Sequence, residues 1–143
     1  MKKLILLALG CCANLGFAGE LQQYSDVKQA IISGIPIHIV IDFTKCTSNK
    51  GVKIDFHAKE LFGSLTPNEI AVVDDHIAAS FFHFTLDHPK HLDMPVYEFG
   101  KYSLTNDNIL HFSHQTLDAR TFYQNSEKST YHCKLNQAVK IYS

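Results

Sequence analysis

Alternation of apolar and polar residues predicts β-strands along most of the chain. In the segments 37–43 and 52–58 every second residue is apolar, which is the period of a strand with one buried face. The predicted inward-facing side chains are Ile37, Ile39, Ile41 and Phe43 in the first strand, and Val52, Ile54 and Phe56 in the second.

Two further pairs of strands are predicted in the middle of the chain. Residues 68–86 contain two strands joined by a tight turn at 74–76, and residues 96–117 form a hairpin around the turn residues 105–108. Within the hairpin the apolar positions change phase at Gly100, which predicts a β-bulge there.

A single helix is predicted near the N-terminus, within residues 19–36. Ser25 or Asp26 is the expected cap, Gly34 can end the helix, and Pro36 prevents its continuation. One helix against mostly antiparallel strands is an α+β arrangement. We expect a strongly curved sheet, or one that closes partway into a barrel, in a single domain spanning residues 19–143.

The first eighteen residues have the order of a cleaved signal peptide. Lys2 and Lys3 precede an apolar run, and Gly16 and Ala18 place small residues at positions −3 and −1 of a cut after Ala18. The run is too short for a membrane span. Lipidation at Cys11 or Cys12 is the alternative, but the residues before these cysteines match a lipidation motif poorly.

Cleavage after Ala18 leaves Cys46 and Cys133 as the cysteines of the mature chain. Two cysteines in an exported protein predict one disulfide, because the destination compartment is oxidising. A catalytic role for Cys46 would instead require a free and activated thiol. We therefore predict export to the periplasm or the medium, with Cys46 bonded to Cys133.

Charge and composition exclude some classes of partner. The formal net charge is −1, and it becomes −3 without Lys2 and Lys3, so nothing favours a nucleic-acid partner. We expect a monomer that has no stable membrane span after cleavage and no cofactor.

The nine histidines raise the question of a metal or pH-sensitive site. The loop 87–95 concentrates donors for zinc or copper, with His83 nearby. Their spacing matches no familiar metal signature, and Lys90 adds a competing charge, so we interpret the segment as a solvated loop without metal. The weak metal candidates are Asp87, His88, His91 and Asp93. A second hypothesis is a patch that gains charge at low pH, formed by His38, His83 and His111.

No familiar catalytic motif occurs, neither a nucleophile elbow, a phosphate loop, a dinucleotide fingerprint nor a zinc-protease helix. An alternative function is a small secreted hydrolase that uses paired carboxylates on neighbouring strands. Its candidate acids are Asp42, Asp55, Asp74, Asp75 and Glu98. We favour a protein that is not an enzyme.

Aromatic residues are abundant, with ten phenylalanines and six tyrosines. Most are expected in the core, while Phe81 and Tyr97 are candidates for an exposed aromatic patch. The weak binding candidates are therefore Phe81, Tyr97 and the neighbouring His83.

Three segments together resemble the VirK family of small exported bacterial proteins. They are the helix–strand–cysteine segment 24–46, the hairpin segment 95–112 and the segment 131–142 around Cys133. The resemblance implies a cleaved leader and a link to virulence, agrees with the predicted disulfide and supplies no catalytic residues. We expect a non-enzymatic binding module that acts on an unknown host or envelope component.

Overall fold

The computed structural model describes residues 19–48, 59–67, 69–88, 91 and 93–143. The predicted signal peptide 1–18 and the predicted strand with Val52, Ile54 and Phe56 lie outside the described residues, as does Asp55. The elements in chain order are β1 (Glu20–Leu21), α1 (Tyr24–Ile32), β2 (His38–Asp42), a 3₁₀ helix (Phe43–Lys45), β3 (Thr47–Ser48), β4 (Phe62–Leu65), β5 (Ile70–Val73), β6 (His76–Thr85), β7 (Val96–Thr105), β8 (Ile109–Asp118), β9 (Ser129–Lys134) and β10 (Val139–Tyr142).

The strands form two antiparallel sheets. A four-stranded sheet has the order β1-β10-β2-β4, and a six-stranded sheet has the order β3-β9-β8-β7-β6-β5. The expected α+β arrangement of one helix on antiparallel strands is confirmed, and the described strands do not close into a barrel. No helix in the described part of the chain has the length and apolar character needed to cross a bilayer.

Helix α1 ends as predicted and begins differently. Gly34 has a φ of 74°, and its N–H donates to the carbonyl of Ile31, in the left-handed C-terminal motif that glycine favours. At the other end the cap residue is Gln23, without a side-chain cap bond. The predicted capping role of Ser25 or Asp26 is therefore wrong, because both lie inside the first turn.

The hydrophobic core lies between the two sheets and α1. The inner face of the six-stranded sheet, defined here as the face that carries Ile77, Leu104 and Leu110, packs against the apolar residues of β2 and β10. The alternation predicted for β2 is confirmed for Ile37, Ile39 and Ile41, which are buried. Phe43 does not continue the strand, because it begins the 3₁₀ helix, and it is only partly buried. The opposite face of the six-stranded sheet is called the outer face below.

The disulfide between Cys46 and Cys133 is present and fully buried, and it joins the residue just before β3 to the neighbouring strand β9. Cys46 follows the 3₁₀ helix that leaves β2, and the pairing of Thr47 with His132 places it opposite Cys133 on β9. The Cα atoms lie 4.5 Å apart and the cysteines are separated by 87 positions. The predicted pairing is confirmed.

Gly100 does not form the predicted β-bulge. Strand β7 keeps a continuous register with β6 and β8 from Val96 to Leu104. Gly100 instead makes room for the ring of Phe81, because a Cβ atom at position 100 would lie 1.9 Å from the ring. The apolar positions change phase because they lie on different faces at the two ends of β7. Tyr97 and Phe99 lie on the outer face at one end, and Tyr102 and Leu104 lie on the inner face at the other.

Candidate functional site

The inner face of the six-stranded sheet changes character beyond the core. Towards the loop that follows β6, the register places His83 of β6 beside Glu98 of β7 and Glu98 beside Thr116 of β8. Further along, Val96 is fully buried but lies outside the main core cluster. This part of the face is polar, although it belongs to the same three strands as the core.

Three imidazoles surround the carboxylate of Glu98. The Nε2 atoms of His83 and His114 lie 3.3 and 3.8 Å from Oε2, and Nε2 of His88 lies 3.7 Å from Oε1. The side chain of Glu98 is one-fifth exposed. These four residues, called the Glu98 cluster below, form ion pairs when the imidazoles are protonated.

Donor geometry in the described residues does not identify the Glu98 cluster as a metal site. Within the described residues, no set of three or more His, Cys, Asp or Glu side chains is placed to hold a metal ion. In the sheet, β7 lies between β6 and β8. His83 and His114 therefore start about two strand spacings apart and approach Glu98 from opposite sides.

The start of the loop after β6 folds back over this polar region. The ring of His91 lies beside that of His88 in a tilted arrangement, with ring centroids 4.9 Å apart. Its Nε2 lies 3.4 Å from the hydroxyl of Thr116. That hydroxyl is buried and also donates to Ser126. The loop thus delivers two histidines to the inner face.

A groove of about 960 Å³ connects the Glu98 cluster with the edge of the four-stranded sheet. Its lining includes Gly63 and Leu65 of β4 on one side and the rings of Phe81, Tyr102 and Phe112 on the other. Burial raises the pKa of Tyr102 well above its ordinary value, so this phenol stays protonated. A concave, largely apolar site with a few polar groups at one end is typical of ligand-binding sites.

The outer face carries a cluster of aromatic rings on the same strands. The register pairs Phe82 with Phe99 and Phe84 with Tyr97, and the ring centroids of these pairs lie 5.6 and 5.7 Å apart. Phe82 is 65% exposed and Phe84 53% exposed. Together with Phe122, these residues are called the outer aromatic surface below.

Phe122 reaches this surface through an uncommon backbone conformation. Its φ is 59°, a left-handed value that bulky residues rarely adopt. Its ring stacks on Tyr97 with centroids 5.6 Å apart, yet its side chain is mostly exposed. Strained residues of this kind are concentrated at functional sites.

The structure separates the three binding candidates proposed from the sequence. Tyr97 lies at the centre of the outer aromatic surface. Phe81 and His83 lie on the inner face, and Phe81 packs on Tyr102 beside the core. The expectation that Phe81 faces outward is therefore wrong, because the phenylalanines on the outer face are its neighbours at positions 82 and 84.

The loop candidates for metal binding are also separated. His88 and His91 turn towards the sheet, whereas Asp87 and Asp93 are exposed. Asp93 has a φ of 60°, a conformation that aspartate tolerates better than most residues. The interpretation of residues 87–95 as a solvated loop holds for the two aspartates and fails for the two histidines.

The predicted patch of His38, His83 and His111 does not form. His38 lies in the four-stranded sheet, within 2.8 Å of the hydroxyls of Ser64 and Thr66. His111 lies on the outer face beside His132, with ring centroids 4.6 Å apart. Burial and the neighbouring His132 lower the pKa of His111.

Most of the carboxylates proposed for a hydrolase have local structural roles. Asp42 accepts hydrogen bonds from the hydroxyl and the N–H of Thr44 and pairs with Lys45, and these contacts lower its pKa. Asp74 forms the tight turn between β5 and β6 with a φ of 41°, and Asp75 follows it. Glu98 is the member of this set that lines the groove.

Sequence reasoning missed the Glu98 cluster because it depends on strand register. His83, Glu98 and His114 are distant along the chain and become neighbours only through the pairing of β6, β7 and β8. The sequence contained one usable signal. The charged residue Glu98 is an even number of positions from Tyr102 and Leu104, so on a strand it shares their face.

Comparisons with known proteins give one consistent result. The family model described as VirK protein matches residues 20–122. The crystal structure of lpg1832, a VirK family protein from Legionella pneumophila, is similar with a TM-score of 0.77 and 28% sequence identity, over 88% of this chain and all of that one. No curated protein sequence matches.

Proposed function

Since the chain belongs to the VirK family, we propose that it is an exported, non-enzymatic recognition module of a virulence-associated type. It binds a protein of the host or of the bacterial envelope. The observation that carries this proposal is the outer aromatic surface, where Tyr97 contacts the rings of Phe82, Phe84, Phe99 and Phe122. Exposed aromatic clusters anchor protein partners more often than scattered apolar residues do.

The chemistry of the surface favours a protein as the occupant. Large rings supply contact area at low cost in conformational entropy, and the strained backbone of Phe122 holds one ring against Tyr97. Four of the five rings come from paired positions on β6 and β7, so strand pairing sets their relative positions before binding.

Export is the second part of the proposal. A buried disulfide between Cys46 and Cys133 is compatible with an oxidising compartment, and residues 1–18 have the sequence of a cleaved leader. Intact mass of the protein from periplasm or medium tests this. We expect a chain that starts at Gly19 with two hydrogens fewer than the reduced form, whereas retained Met1 or a lipid on Cys11 would contradict it.

Affinity capture from host lysate and from bacterial envelope tests the binding role. The informative variant is Phe84→Ser/Phe122→Asn, which removes two exposed rings and places at position 122 a residue that tolerates positive φ. The matched control is Phe62→Ser, because Phe62 on β4 is 61% exposed and belongs to the other sheet.

We expect a protein that is captured by the wild type and by the Phe62 variant and is lost with the double variant. Equal capture by all three proteins would contradict the proposal. So would turnover of a polymer substrate that a single Asp→Asn substitution abolishes, since that result would favour a hydrolase.

A further inference from the structure

The groove beside the Glu98 cluster has a wall of aromatic rings. Phe43, Phe81, Tyr102 and Phe112 line it. Tyr102 contacts Phe81 and Phe112 with ring centroids 5.7 and 4.8 Å apart, and Phe43 contacts Phe112 at 5.2 Å. The faces of such rings attract cations.

The described lining of the groove carries negative charge. Its lining contains Glu69 and Glu98, and none of the described lining residues is a lysine or an arginine. The groups that face the carboxylate of Glu98 are imidazoles, which are neutral once they lose their protons. Because Glu98 is mostly buried, solvent screens its charge less than that of a surface carboxylate.

We propose that this groove binds a small organic cation, an alkylammonium compound whose nitrogen pairs with Glu98 and whose hydrocarbon part packs on the aromatic wall. Charge complementarity selects a cation over an anion, and the rings select an amine with a hydrocarbon body over a bare metal ion. The volume lies within the range of small-ligand sites, roughly 300–1,000 Å³.

Protons compete with the cation at this site. Among the described residues, the titratable side chains that pair with the carboxylate are His83 on β6, His114 on β8 and His88 in the loop. His91 lies beside His88, and Tyr102 on β7 and Glu69 before β5 line the groove. Protonated imidazoles place positive charge beside Glu98 and repel an ammonium group. Affinity for the amine therefore falls as the pH is lowered.

A series of three six-carbon ligands tests the proposal on the oxidised, mature protein. Hexylamine, 1-hexanol and hexanoate share the hydrocarbon part and differ in charge. Calorimetry, together with NMR shifts of the Gly100 amide, measures binding at pH about 8 and about 5.5. At the higher pH we expect hexylamine to bind at least about tenfold more tightly than hexanol, and hexanoate to bind most weakly. At the lower pH the affinity for hexylamine should fall about tenfold.

Glu98→Gln keeps the shape of the side chain and removes its charge, so it should weaken hexylamine binding about tenfold. The matched control is Glu127→Gln at an exposed position outside the groove, which should change nothing. The proposal would be overturned if the three ligands bound equally or if hexylamine did not bind at millimolar concentration. It would also be overturned if the affinity for hexylamine were unchanged in Glu98→Gln or did not depend on pH. The pH series on the wild type decides the question even if Glu98→Gln fails to fold. No protein partner is present in this assay, so its failure is separate from failure of the proposed partner binding.

Discussion

The three long strands β6, β7 and β8 have different surroundings at their two ends. At the end near α1, the inner face presents Ile77, Leu104 and Leu110, which are at most 5% exposed and pack against the four-stranded sheet. At the other end the same face presents Glu98 between His83 and His114, next to an open groove. We call these the core half and the open half of the strands.

The comparison shows how one set of paired strands can support both stability and recognition. The core half is covered by a second sheet and lies beside the buried disulfide, since Cys133 pairs with Leu110. The open half is covered partly by loops, and its outer face carries the exposed rings. Substitutions in the core half should therefore change mainly the free energy of unfolding, and those in the open half mainly binding.

Loss of the disulfide should have the largest effect on stability. Cys46→Ser releases the covalent link between the segment that leaves β2 and strand β9, and it leaves a buried Cys133 without its partner. We expect the free energy of unfolding to fall by about 2–5 kcal/mol. Denaturant unfolding under non-reducing conditions measures this, and Cys133→Ser should behave alike. A change below about 1 kcal/mol would show that packing and strand pairing alone hold this segment against β9.

A large apolar side chain in the core half should cost nearly as much. Leu104 is 2% exposed, and Leu104→Ala removes buried surface and leaves a cavity, which costs about 2–5 kcal/mol. Phe84→Ala is the matched change in the open half and should cost less than about 1 kcal/mol, because that ring is exposed. Similar losses in the two variants would erase the difference between the halves.

Gly100 marks the boundary between the halves and should be sensitive to a single methyl group. A Cβ atom there would overlap the ring of Phe81, so Gly100→Ala should cost about 1–3 kcal/mol through overpacking. Phe81→Ala/Gly100→Ala should be more stable than the sum of the two single changes predicts. An additive result in this double-mutant cycle would mean that the two residues do not interact.

The smallest effect concerns the turn at the far end of the open half. Asp118 accepts hydrogen bonds from the N–H groups of Thr121 and Arg120 and from the hydroxyl of Thr121, and these bonds lower its pKa. A lowered folded-state pKa contributes stability above the unfolded value of 3.8, and this stability is lost as the pH falls through the folded value. The wild type should therefore lose more thermal stability than Asp118→Asn between pH about 5 and about 2. Parallel losses would contradict the role assigned to Asp118.

The sequence predicted the parts of this fold that depend on local pattern. The alternation at 37–41, the predicted turn at 74–76 except for His76, which begins β6, and the hairpin tip at 105–108 appear where expected, because residue period and turn chemistry act over a few positions. The Cys46–Cys133 pair was predictable from export and cysteine number alone.

Features that depend on register and on covering elements were not predictable in the same way. The run of aromatic residues at 81–84 gives either face a plausible apolar set, and only the four-stranded sheet decides that Phe81 faces inward. The phase change at Gly100 suggested a bulge because the sequence does not show which face of β7 is covered at each end. The meeting of His83, His88 and His114 at Glu98 required the order of three strands and the course of a loop.

Hydrogen exchange of the native protein tests most directly whether the two halves have separate roles. Strand β7 lies inside the six-stranded sheet, so its amides at both ends belong to the same ladder. We predict that the amides near Leu104 exchange only through global unfolding, while those near Tyr97 exchange through local opening at a lower free energy. Equal protection along β7, or stronger protection near Tyr97, would contradict the account.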